Sequence, residues 1–268
     1  MSQVLRRTIL LVCGVLSQAV FLGAQLQPSA PPASTTGTSA PDRAVSWRLI
    51  TPNIIQDQKA IWTFPADLVR GKHWKPALGV AATTAGLVSL DPHDTPYFRR
   101  TDSFDNFNKG FSGRNTSLAM AIFPASFYVA ALARKDTYAR HTALLAGEAF
   151  ADAEVLSTVM KDVSRRLRPS DISPQGNFAD TWFEARGSVF GKHSSFPSGH
   201  TIAAFSIATI FARRYRKHRW VPWVSYGLAS LVGFSRIPLQ SHFPSDVFVG
   251  AALGYFISRD VVLAGARH

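Results

Sequence analysis

The sequence predicts an all-α fold, a six-helix bundle that is membrane-embedded or membrane-associated. Six apolar segments follow residue 75: Pro76–Leu90, Thr116–Ala133, His141–Met160, Pro197–Ala212, Val221–Phe234 and Asp246–Ala264. Gly, Ala and Ser recur in them, and small residues let helices approach closely. The polar strings that carry chemistry fall between these segments or at their ends. The hydropathy is modest, with a mean of +0.04. No segment is an unbroken, strongly apolar run of bilayer length. The same pattern fits an Ala-rich soluble bundle.

Residues 1–25 read as a signal peptide or an N-terminal membrane anchor. Arg6 and Arg7 precede the apolar run Thr8–Ala24, the order of a secretory signal. Gly23-Ala24 offers a cleavage site, although Leu22 stands where a small residue is preferred. The run also approaches spanning length. The one cysteine, Cys13, lies inside it behind Val12, which does not suit a lipoprotein site. The mature chain therefore has no disulfide. Residues 26–43 are rich in Pro, Ser, Thr and Ala and read as a flexible linker. Residues 44–74 hold Trp47, Trp62, Phe64 and Trp74, which predicts a short interfacial helix or two. Residues 75–264 read as the main helical domain.

In the third segment, Glu148, Asp152 and Glu154 interrupt the apolar run. Acids at mid-span are costly in lipid. Burial against a basic residue of the bundle is the expected outcome for Glu148 and Asp152, which share a helix face.

The net charge is +12, from 29 Lys and Arg against 17 Asp and Glu. The basic residues do not interleave with aromatics along a stripe, so nucleic acid is excluded as the partner. They concentrate at Arg213, Arg214, Arg216, Lys217 and Arg219 and in the polar strings. A phosphate substrate and an anionic membrane surface account for both groups.

Three strings carry the chemistry. The first runs from Lys161 to Arg168-Pro169. The second is Pro197-Ser198-Gly199-His200. The third is Ser235-Arg236 with His242 and Asp246. Together they supply three cations, a hydroxyl beside a glycine, two histidines and a carboxylate. Lys161, Arg168 and Arg236 can neutralise a tetrahedral oxyanion. Ser198 can donate to it, and Gly199 lets a backbone amide come close. One histidine can attack and the other can serve as general acid. Asp246, four residues after His242, can fix its tautomer. No Cys/His cluster or Asp-rich loop has metal-ligand spacing.

The spacing Lys-x6-Arg-Pro, Pro-Ser-Gly-His and Ser-Arg-x5-His-x3-Asp resembles the type 2 phosphatidic acid phosphatase and vanadium haloperoxidase superfamily. The resemblance implies that His242 is the nucleophile and forms a phosphohistidine. It implies that Asp246 orients His242. It makes His200 the group that protonates the leaving oxygen and then activates water. Lys161, Arg168, Ser198, Gly199 and Arg236 would bind the phosphoryl oxygens. No cofactor or metal is expected, and vanadate is expected to inhibit by mimicking the phosphoryl group. His193, Lys192, Arg165 and Arg166 flank the motifs and read as surface or outer-shell charges.

The expected activity is metal-independent hydrolysis of a phosphate monoester or diphosphate, with a phospholipid or polyprenyl phosphate as substrate. A soluble periplasmic acid phosphatase and a vanadate-dependent haloperoxidase are the alternatives. The expected site of action is the bacterial envelope, at the inner membrane facing the periplasm or secreted into it. The strings sit at one end of the bundle and the basic run at the other, which puts that run on the cytoplasmic side of any spanning arrangement. The aromatics Phe178, Trp182, Phe183, Phe190 and Phe196 either face lipid or pack the loop between the first two strings.

Overall fold

The computed structural model describes residues 43–173, 175–187 and 194–265. The signal segment, Cys13, nearly all of the linker, Phe190, Lys192 and His193 lie outside the described residues.

Within them the chain is all α, with eight α-helices and no strand. The helices are α1 (Ile50–Val69), α2 (Trp74–Arg100), α3 (Asp105–Gly110), α4 (Gly113–Ala133), α5 (Thr137–Ser164), α6 (Gly199–Arg214), α7 (Trp220–Ser235) and α8 (Pro244–Phe256). A 3-10 turn, Pro169–Asp171, follows α5, and a π turn, Ile257–Val262, continues α8. Six of the eight helices overlap the six predicted segments, with α2 running on past Leu90 to Arg100 and α8 giving way to the π turn after Phe256. The region before them differs from expectation: residues 44–74 hold one helix of 20 residues, not one or two short ones.

Helix α6 is the centre of the bundle, packed by α5, α7 and α8. It is buried almost all round, through Ile202, Ala203, Ser206, Ile207, Thr209, Ile210 and Phe211. Small residues set its distance from α8. A Cβ on Gly254 would lie 2.3 Å from the carbonyl oxygen of Ile202. Only glycine permits this backbone-to-backbone approach. Helix α5 is started by Asp136, which accepts from the Ala139 amide at 2.9 Å. It ends where Arg165 enters the left-handed region at φ 43°.

Helix α1 supplies the partners for the acids of α5. Asn53 donates to Glu148 at 2.8 Å and Gln58 to Asp152 at 2.9 Å. Arg43, just ahead of α1, pairs with Asp57 at 2.8 Å and lies 3.9 Å from Glu148. The basic partner of these acids thus comes from the N-terminal flank.

Among the described residues one helix, α4, is long and apolar enough to cross a membrane. Large apolar side chains are exposed elsewhere too, including Trp47, Val69, Trp74 and Trp223. Because α6 runs from Gly199 to Arg214, the Ser198 end and the basic run lie at opposite ends of the bundle. Arg213 and Arg214 are tied down there, to Tyr255 and Thr142 respectively.

Candidate active site

The first string straddles the end of α5. Lys161 lies in its last turn, buried. The left-handed Arg165 then reverses the chain, so that Arg166 turns inward and Arg168 caps the 3-10 turn. The Ser170 amide donates to Gln240 O at 2.9 Å, joining this loop to the third string.

The second string starts α6. Ser198 is the residue before the helix and Gly199 its first position. The first amides of a helix lack intrahelical partners and suit an anion. A Cβ on Gly199 would lie 2.6 Å from Ser157 Oγ and 3.3 Å from Lys161 Nζ. Glycine therefore lets the Lys161 ammonium reach the α6 N-terminus. The Ser198 hydroxyl is hydrogen-bonded to Thr201 at 2.8 Å, and the Ser198 amide donates to Asp246 O at 3.1 Å.

The third string links α7 to α8. Arg236 is almost fully buried. It donates to Ser235 Oγ at 2.8 Å, to Thr116 Oγ1 at 3.2 Å and to the Phe111 carbonyl. The site of a Cβ on Gly113 would lie 3.7 Å from Arg236 Nη1 and 3.9 Å from His200 Nε2. Arg236 and His200 thus converge at the start of α4.

His200 Nε2 lies 3.1 Å from the Gly113 carbonyl and 2.9 Å from Ser117 Oγ. A carbonyl only accepts, so the neutral ring carries its proton on Nε2. Burial holds the His200 pKa down to about 3, and Arg236, His242 and Lys161 push it the same way.

His242 is buried. Its Nδ1 lies 2.6 Å from the carbonyl oxygen of Ser195 and 3.7 Å from Asp246 Oδ2. The carbonyl must accept, so Nδ1 carries the proton and Nε2 holds the lone pair. The spacing of the third string assigns the tautomer to Asp246. Here the Ser195 carbonyl makes the short bond, and Asp246 adds charge from just beyond. Burial lowers the His242 pKa, Lys161 and Arg168 lower it further, and Asp246 opposes them.

Asp246 is fully buried at the third position of α8, where it accepts from the Phe243 amide at 2.9 Å. Burial pushes its pKa up, but His242, Arg166 and that amide outweigh it, and the carboxyl sits below its usual range.

All eight residues singled out from the strings therefore gather at one end of the bundle. Three other residues support them. Of the two readings the sequence allows for Arg166, the structure bears out the position behind the site: it is 1% exposed and bonds Asp246 at 2.6 Å. Asp91 of α2 bonds the same guanidinium at 2.7 Å. Ser195 holds His242. A charged residue closing the apolar run at Leu90 was the available signal for Asp91. The repeat of Arg two residues before Arg168 was the one for Arg166. The loop aromatics mostly pack inward: Phe178 lies against Phe243, and Trp182 against Phe196 at 5.0 Å. Phe183 alone among those described is strongly exposed.

Residues 141–265 match the PAP2 superfamily. The PAP2 match takes in the C-terminal part of the chain, from α5 onward. The matched range contains every residue of the three strings, while Asp91, Gly113 and Ser117 lie ahead of it. The lipid A 1-phosphatase of Porphyromonas gingivalis is 43% identical over 65 residues, 24% of this chain and 15% of that protein. The undecaprenyl-diphosphatase of Bacillus subtilis is 41% identical over 70 residues, 25% of this chain and 35% of that protein. The alignments span no more than half the length of the curated relatives. A crystal structure of a PAP2-type phosphatidylglycerolphosphate phosphatase from Bacillus subtilis is 21% identical. It covers 76% of this chain and 94% of that one, with a TM-score of 0.44.

Proposed function

We propose that this chain is a phosphatase that hydrolyses a lipid phosphate monoester or diphosphate through a phosphohistidine on His242. The observation that carries the reading is the Nδ1–H of His242 bonded to the Ser195 carbonyl. It leaves Nε2 as a lone-pair donor beside the cations of the site. The lipid A and undecaprenyl diphosphate specificities named for the two relatives support a lipid or polyprenyl substrate.

The chemistry follows from the residues. Lys161, Arg168 and Arg236 neutralise the phosphoryl oxygens, with the Ser198 hydroxyl and the Gly199 amide as further donors. Such fixed donors supply most of the stabilisation of a phosphoryl-transfer transition state. His242 Nε2 attacks phosphorus in line, and the bond to the leaving oxygen breaks. A bound phosphate dianion neutralises the cations that depress the His200 pKa, so the ring takes up a proton as the substrate binds and passes it to that oxygen. His200 then takes a proton from water, whose oxygen attacks the phosphohistidine and frees His242 and phosphate.

The proposed location is the bacterial envelope, reached through the N-terminal signal or anchor, with the site on the periplasmic side. The chain is membrane-associated through its exposed Trp and aliphatic side chains. A soluble periplasmic phosphatase is the competing reading, and detergent-free fractionation separates the two. The central experiment is phosphate release by the purified chain from phosphatidic acid, phosphatidylglycerol phosphate, undecaprenyl diphosphate and lipid A. Release from a water-soluble monoester but from none of the lipids would overturn the lipid assignment. Release from none of them would overturn the enzyme assignment.

A further inference from the structure

We infer that Asp91 and Arg166 are positioning residues for the nucleophile: they hold Asp246 in place and leave one net negative charge behind His242. The inference rests on the reading of His242 as the attacking group.

The Arg166 guanidinium is enclosed and every nitrogen is used. Nε donates to Thr181 Oγ1 at 3.2 Å. Nη1 donates to Asp246 Oδ1 at 2.6 Å and to Ser245 Oγ at 2.8 Å. Nη2 donates to Asp91 Oδ2 at 2.7 Å. Its faces are covered by Phe243, 3.9 Å from the ring centre, and Trp182, at 4.6 Å. Asp91 is in turn held by α8, accepting from the Ser245 amide at 3.2 Å and the Ser245 hydroxyl at 2.5 Å. All three charged groups are buried.

No group of this cluster reaches the phosphate-binding face through its own contacts, since each is spent on its neighbours. The function is therefore exerted through Asp246. An arginine paired with Asp246 alone would cancel the field of that carboxylate at His242. Asp91 changes the sum. Burial pushes the Asp91 pKa up, while the Ser245 bonds and the Arg166 guanidinium at 2.7 Å favour its ionised form; with Asp91 ionised, two carboxylates against one guanidinium leave one net negative charge. That charge opposes Lys161 and Arg168, which face His242 from the end of α5 and the loop after it. His200 of α6 also faces it. Without the negative charge, burial and these cations would draw the lone pair of His242 down in basicity and make it a poorer nucleophile. The cluster also crosses the fold: Asp91 lies on α2, Arg166 after α5, and Asp246 on α8. The otherwise largely exposed α2 has two buried side chains, Asp91 and Thr95.

The test is the titration of His242 in the full-length chain in detergent, read by NMR on nitrogen-labelled histidine. The signal is assigned by its loss in His242→Asn. Asp91→Asn keeps the shape and the acceptor for Ser245 but brings the cluster to neutrality. A lost negative charge disfavours the imidazolium, so the His242 midpoint falls, by about one pH unit. The acid limb of kcat/KM moves down with it, because His242 must be neutral to attack. The double substitution Asp91→Asn with Arg166→Met restores one net negative charge on Asp246. Its midpoint returns to the wild-type value or above. A merely structural role predicts the double variant to be worse than the single one. An unshifted midpoint in Asp91→Asn, or a double variant no higher than the single, would overturn the inference. So would loss of the helical circular-dichroism signal in both variants, which would assign the cluster to architecture. A wild-type chain that hydrolyses no phosphate ester while the midpoints move as stated would strike the phosphatase reading and leave the charge relationship standing.

Discussion

His242 Nδ1 donates to the carbonyl oxygen of Ser195 at 2.6 Å, and that one bond decides which ring nitrogen can attack. A backbone carbonyl cannot exchange roles as a carboxylate or hydroxyl can. The tautomer is thereby set by the chain immediately ahead of Pro197, and Nε2 is left with the lone pair.

His242→Ala therefore abolishes turnover, by about a thousandfold or more, with the fold intact. His200→Ala costs about a hundredfold or more with a poor leaving group. With an aryl phosphate, whose leaving oxygen needs no proton, its loss is much smaller in the first step. Single-turnover kinetics with the two substrate types measure this. A wild-type rate in His242→Ala would falsify the nucleophile assignment.

Orthovanadate is expected to inhibit the chain, and EDTA to leave it active. In the proposed mechanism Lys161, Arg168 and Arg236 supply the positive charge that a metal supplies elsewhere. Pentavalent vanadium takes the trigonal-bipyramidal geometry that these donors fit, as a transition-state mimic does. Phosphate release is assayed with each additive. Inactivation by chelation that a divalent ion reverses is the contrary result.

Gly254→Ala destabilises the bundle by about 1–3 kcal/mol. The added Cβ would meet the Ile202 carbonyl at 2.3 Å and the Phe205 Cβ at 2.9 Å, so α6 and α8 must separate. The thermal midpoint falls by several degrees. An unchanged midpoint would show that the two helices are not packed backbone to backbone.

Glu148→Gln gains stability relative to the wild type as pH rises. Burial raises the Glu148 pKa to about 7, and burial with the neighbouring Asp57 raises Asp152 to about 8. Both folded-state values lie above the unfolded ones, which are near 4. The stabilising share of each group is therefore complete below about pH 4 and is lost as pH climbs through 7 and 8. Glutamine keeps an acceptor for Asn53 and cannot ionise. Denaturant midpoints for the two chains compared at pH 5 and pH 9 give the answer. A difference that does not grow toward pH 9 contradicts the burial argument.

What the sequence determined by itself was local or carried by chemistry at fixed spacing. The six apolar segments became α2 and α4 to α8, because a helix of that length needs only a buried face and suitable ends. The eight residues of the three strings gathered because each string sits at a helix end, and helix ends meet at the end of a bundle. The rest depends on contacts between residues far apart in the chain. Asp91 meets Arg166 across 75 positions, and no spacing rule relates them. Arg166 looked like its neighbour Arg165, yet one left-handed residue turns the first inward and leaves the second at the surface. The tautomer of His242 hangs on the Ser195 carbonyl, 47 residues away, and every residue type carries that group. Side-chain identity can be read along a chain. The direction in which a side chain or carbonyl faces is fixed by the turn that precedes it and the helix that packs against it.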